Sequence, residues 1–123
     1  MQSDNQLAKR IAAILEDKKG LDIVTLDISQ MTIIADAFVV ASGGSGIQVR
    51  ALTDAVAETL EEESSLRPAR IEGYEQARWV VLDYGDVIVH IFHQEERGFY
   101  NLERLWMEEH NFTFHPSQAQ GGE

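Results

Sequence analysis

The chain has no cysteine, two prolines and only ten basic residues against 21 acidic ones. Without cysteine there is no disulfide, no thiolate metal site and no cysteine nucleophile. That fits a reducing compartment, and the expected location is the cytoplasm. No apolar run approaches the roughly 20 residues needed to span a bilayer. The opening stretch MQSDNQLAKRIAA carries Asp4 early and lacks a long apolar core, so it reads as a helix start and not as a signal peptide. The shortage of basic residues leaves a net charge of −11. A surface this acidic is repelled by phosphate backbones, which argues against strong direct binding to nucleic acid. If the protein works beside nucleic acid, it should do so through a basic protein.

What is present suits one globular domain. A chain of 123 residues, 44% of them hydrophobic, can fill a single core. Ser3 and Gln6 are spaced as a capping box for a first helix, whose apolar face is Leu7, Ile11, Ile14 and Leu15. Lys18 and Lys19 suit its C-terminal dipole, and Gly20 suits the position just past its end. Residues 22–28 and 35–42 are strand candidates. The FVVA core of the second is apolar throughout and predicts burial on both faces. The connector at 29–35 contains Met31, Ile33 and Ile34 and is expected to pack down onto the domain. After SGGSG, Ser45 and Gln48 mark a second capping box, and Val49, Leu52, Val56 and Leu60 form a helical stripe. With the strand that follows, this makes a βαβ unit. Asp54, Glu58, Glu61, Glu62 and Glu63 give that helix an acidic face, either simply solvated or a dock for a basic partner. An edge strand at 67–72, a turn at 73–77, and strands at 78–84 and 86–93 joined around Gly85 come next. Phe99, Leu102, Leu105 and Trp106 then repeat at helical spacing. The expected fold is α/β, a mixed sheet of about five strands flanked by helices. It occupies residues 1–106, and 107–123 form a flexible tail.

Candidate chemistry is sparse. SGGSG before a helix could cradle an anion on backbone N–H groups, but neither a P-loop nor GxGxxG is present. His90 and His93 are three apart on a strand, so they face opposite sides and make poor joint metal ligands. DYGD reads as a hairpin turn, with Gly85 supplying positive φ. Aromatics beside acids at one turn are also typical of protein-interface anchors. No catalytic set, metal site or cofactor is expected. An enzyme reading would have to assemble Ser45 and the glycine turn with Asp83 and Asp86, as in nucleotidyltransferases.

Four motifs together resemble the Iojap-like family of ribosomal silencing factors: DIVTLDI at 22–28, ADAFVVASG at 35–43, GYEQARWVVLDYGDVIVHIFH at 73–93 and RGFYNLERLW at 97–106. The resemblance implies a nucleotidyltransferase-like sheet lacking the catalytic carboxylates. It implies a factor that binds large-subunit ribosomal protein fourteen on the intersubunit face, sterically blocks joining of the small subunit and represses translation when nutrients are scarce. It also implies a homodimer when free. The family's characteristic positions fall on Trp79, Asp83, Asp86, His90, Phe92, Arg97, Tyr100, Leu102, Glu103 and Trp106. The partner-binding residues expected from these and from the acidic turn are Trp79, Asp83, Tyr84, Asp86, His90, Tyr100, Glu103 and Trp106. Phe92, Leu102 and Leu105 are expected to serve packing. The chain departs from the family's SGNSxRQ run, carrying Gly44 and Ile47 where the family has Asn and Arg.

Overall fold

The computed structural model describes residues 5–100. Three helices and five strands follow in the order α1 (Gln6–Asp17), β1 (Leu21–Asp27), β2 (Ala37–Gly43), α2 (Gly46–Ser64), β3 (Arg70–Glu72), β4 (Trp79–Asp83), β5 (Val87–His93) and α3 (Gln94–Tyr100). The expected tail at 107–123, and the part of the last helical repeat beyond Tyr100, lie outside the described residues.

The strands form one mixed sheet in the order β1-β2-β5-β4-β3. β2 and β5 run parallel at its centre, with Ala37 opposite Val87 and Gly43 opposite His93, and the remaining neighbours are antiparallel. The chain leaves β2 through α2, but the strand that follows, β3, lies at the far edge. The neighbour that β2 acquires is β5, so the βαβ unit is split by two inserted strands.

Alternation assigns two faces to the sheet. Ala37, Val39, Ala41, Val80, Leu82, Val87, Val89 and Ile91 meet Ile11, Ile14 and Leu15 of α1 and the Val49, Leu52, Val56, Leu60 stripe of α2 in one buried cluster. A second cluster on the opposite face contains Val24, Leu26, Ile28, Ala35, Val40 and Phe92, with Phe38, Trp79 and Ile88 packed against it. That cluster draws no residue from α1 or α2. β2 is therefore buried on both sides, as its apolar run requires.

The local signals landed close to their expected places. Ser45 caps α2, its hydroxyl accepting from the Gln48 N–H at 3.1 Å. At α1 the cap is Asn5 and not Ser3, its side-chain oxygen accepting from the Ala8 N–H at 3.0 Å. Both residue types cap well. The end of α1 also differs from expectation. Lys19, with φ of 68°, takes the left-handed position assigned to Gly20. The amides of Lys19 and Gly20 then bond the carbonyls of Glu16 (3.0 Å) and Leu15 (2.8 Å), a Schellman closure with glycine one place later.

One expectation fails outright. The connector between β1 and β2 does not pack down: Ile33 is fully exposed and Ile34 is 75% exposed. Only its ends, Ile28 and Ala35, are buried.

Candidate functional site

The face opposite α1 and α2 carries a column of rings. Trp79 opens β4 opposite Phe92 of β5, and the two rings stack with centroids 5.2 Å apart. His90, two residues back along β5, stands on the same face opposite Val81, and opposite Val40 on β2. Phe38 meets the His90 ring edge-on at 4.5 Å. Trp79, Val81 and Asp83 alternate onto this face, so the column runs toward the Tyr84-Gly85-Asp86 turn.

His90 is 7% exposed, and the Trp79 Nε1–H donates to its Nδ1 at 3.0 Å. Nδ1 is thus an acceptor, which places the ring proton on Nε2. Nε2 is buried and has no hydrogen-bond partner. Burial also pushes the imidazole down to about 4, so the ring is neutral at physiological pH. A buried N–H without an acceptor is unfavourable by about 1–3 kcal/mol.

The turn beside this face is built as its sequence predicts. Gly85 has φ of 87°, and its amide donates to Asp83 Oδ1 at 2.8 Å. Asp83 also faces the Arg70 guanidinium at 3.8 Å, so it braces the turn and the β3 edge. Asp86 is exposed, while its backbone carbonyl accepts from the amides of Asp36 (2.7 Å) and Ala37 (3.2 Å) and ties the turn to the start of β2.

The remaining expected contacts divide. Tyr84 packs against the helix-side cluster, away from Trp79 and His90, and its hydroxyl is buried without a partner. Burial raises its phenol to about 12. Tyr100 ends α3, and Glu103 and Trp106 lie outside the described residues. Sequence reasoning gave no partner to Arg97, whose guanidinium donates to Ser42 Oγ at 2.6 Å and to the Asp22 carbonyl at 2.8 Å. Arg78 likewise bonds Glu96 at 3.0 Å and Glu95 at 3.2 Å. Together these bonds fix α3 across the ends of β1, β2 and β4. Three acids of the α2 face are also engaged: Asp54 by Tyr74, Glu61 by Arg67 and Glu63 by Arg10. Apart from Glu61 and Arg67, which are 6 residues apart, these pairs lie 17 to 75 residues apart, and no sequence spacing announces them.

The enzyme arrangement does not assemble. Ser45 follows the end of β2 that pairs with His93, whereas Asp86 precedes the end of β5 that pairs with Ala37. Six register steps at ~3.3 Å put the glycine turn and the two aspartates about 20 Å apart. One glycine-turn amide is also occupied, because Gln48 Oε1 accepts from the Gly44 N–H at 2.6 Å, and the Ser45 hydroxyl is engaged as the cap of α2, accepting from the Gln48 N–H. Among the described residues no group of three His, Asp or Glu side chains could hold a metal ion, and no helix is long and apolar enough to cross a membrane.

Against known proteins, residues 1–122 match the family model described as "Ribosomal silencing factor during starvation". The chain belongs to the ribosomal silencing factor family. A relative named ribosomal silencing factor RsfS from Halalkalibacterium halodurans is 41% identical over 104 residues, covering 85% of this chain and 88% of that protein. The Bacillus subtilis protein of the same name is 38% identical over 85% of this chain and 87% of its own length. The Iojap-related mitochondrial protein of Arabidopsis thaliana is 29% identical over 84% of this chain and 58% of its own. A crystal structure from Chromobacterium violaceum superposes with a TM-score of 0.80 at 36% identity, covering 98% of this chain and 95% of that one. The silencing-factor fold is therefore the five-stranded mixed sheet described above.

Proposed function

We propose that this silencing factor docks on the large ribosomal subunit through a basic ribosomal protein, large-subunit protein fourteen, on the intersubunit face. Bound there, it blocks small-subunit joining by its bulk and represses translation under nutrient limitation. It acts in the cytoplasm and is a homodimer when free. The observation that carries the reading is the face opposite α1 and α2: a ring column of Trp79, Phe92, His90 and Phe38 beside the exposed carboxylate of Asp86. Such a face offers apolar area and negative charge to a basic partner. It holds no group that would need to move a proton or an electron pair. Trp79 and His90 supply the centre of the contact, and Asp86 supplies its charged rim. The family name fits, since a silencing factor that works by obstruction needs affinity and bulk only.

Co-sedimentation with purified large and small subunits, at low and moderate salt, tests this. The expected result is selective binding to large subunits, weakening as salt rises, with loss of joined ribosomes. Binding to neither subunit by the folded protein would remove the reading.

Asp86→Lys checks the charged rim. Asp86 is exposed, so the stability should stay within the range of neutral surface changes, about ±0.5 kcal/mol. Affinity for the isolated ribosomal protein should fall by about tenfold, mostly in the association rate. Unchanged affinity at low salt would take Asp86 out of the contact.

A further inference from the structure

We propose that the connector between β1 and β2, residues 29–36, is an apolar prong that enters a pocket rimmed by lysine and arginine on a basic protein partner. The inference rests on the docking reading above and names a second contact within it.

Met31, Ile33 and Ile34 place three large apolar side chains within four residues, all exposed. A lone exposed isoleucine needs no explanation, but a cluster at the tip of one loop marks a contact surface. The loop is also held in shape. Asp27 Oδ1 accepts from the Ser29 amide (3.0 Å) and hydroxyl (2.7 Å), and the Ile28 carbonyl accepts from the amides of Met31 (2.9 Å) and Thr32 (3.2 Å). Thr32 Oγ1 accepts from the Ile34 amide at 3.0 Å. At the far end, the Asp36 and Ala37 amides close onto the Asp86 carbonyl. A braced loop loses little conformational freedom on binding, so more of its apolar contact appears as affinity.

Position and charge select the occupant. Ile28 and Ala35, the two ends of the loop, are buried in the cluster that also holds Val40, Phe92 and Trp79. The prong therefore rises from the rim of the ring-lined face, at the end that carries Asp86. The sequence has no lysine or arginine from Gly20 through Val49, while Asp27 and Asp36 flank the loop and are exposed. A second copy of a chain with net charge −11 would bring like charge against this rim, and so would a nucleic acid or an anionic lipid surface. A basic protein surface with an apolar pocket satisfies both the isoleucines and the aspartates.

The test is the double variant Ile33→Asp/Ile34→Asp in the full chain, compared with wild type and with Ile33→Met/Ile34→Met. Three quantities are read: melting temperature, self-association by sedimentation velocity, and affinity for purified large subunits. The expected result is an unchanged melting temperature and self-association for both variants. The Asp pair should lose affinity by at least about tenfold, as truncated anchors do, while the Met pair stays close to wild type. Wild-type affinity in the Asp pair overturns the prong while leaving the docking reading intact. A change in self-association without a change in subunit binding overturns it in favour of a contact between copies. Failure of the wild type itself to bind overturns the docking reading and this inference with it.

Discussion

Replacing Gly73 by alanine is expected to destabilise the domain by about 3 kcal/mol or more and to abolish partner binding. Gly73 follows β3 with φ of 82°, a conformation that costs an L-residue about 1–2 kcal/mol. The greater part of the loss is steric. A Cβ at this position would lie 2.2 Å from the backbone carbonyl oxygen of Trp79, and a backbone atom has no rotamer into which to retreat. Either β3 separates from β4, or the first residue of β4 moves. The second outcome displaces the Trp79 ring from Phe92 and its Nε1–H from His90. Gly85→Ala is the matched control. Its φ of 87° is as unfavourable, but nothing lies within 4 Å of the added carbon, so its loss should stay near the conformational cost of about 1–2 kcal/mol. Urea unfolding of both variants checks the pair. Equal losses would show that conformation alone matters at Gly73.

The second large effect is a loss of stability in mild acid that originates at His90. In the folded protein its imidazole protonates only near about 4, against an ordinary value of 6.5. Between these values the unfolded chain binds a proton that the folded chain refuses. Stability from this group is therefore complete above about pH 6.5, falls as the pH drops below it, and levels off below about 4. From about pH 7.5 to pH 5 the expected loss is about 2 kcal/mol, at roughly 1.4 kcal/mol per pH unit below the unfolded value. His90→Gln keeps an acceptor for the Trp79 N–H and removes the titration. Its unfolding free energy should therefore be flatter over the same interval. An identical slope in the two proteins would locate the acid sensitivity elsewhere. The same burial connects the measurement to docking, because charging the ring adds a second donor where Nδ1 now accepts from Trp79. Partner affinity should thus change with stability as the pH approaches 5.

Much of the secondary structure was legible because its causes act over a few residues. Ser45 and Gln48 end a glycine turn whether or not a sheet is present. The Val49, Leu52, Val56, Leu60 stripe follows from the helical repeat alone, and Gly85 follows from the demand of a tight turn for positive φ. Where two local signals competed, the outcome was decided elsewhere. Ser3 and Asn5 are both capable caps, and Asn5 was chosen where the helix docks. The loop at 29–36 misled for a related reason. Its apolar content implied burial, but burial needs a surface to pack against, and the ends at Ile28 and Ala35 already fill what the sheet offers.

The α/β class, the helical stripes, the two-sided burial of β2, the hairpin turn and, through four long motifs, membership of the silencing-factor family were all legible along the chain. Each depends on neighbours along the chain, where spacing is fixed by covalent geometry. Tertiary structure alone decided that β5 lies beside β2, that Trp79 and His90 share a face while Tyr84 turns to the other, and that Arg97 reaches Ser42 across 55 residues of sequence. It also set Ser45 and Asp86 at opposite ends of the sheet and left Ile33 in solvent. Those outcomes depend on strand order and register, which arise from the collective fit of distant segments into one core. A one-residue slip in register would exchange the faces, and no short stretch of sequence records which choice was made.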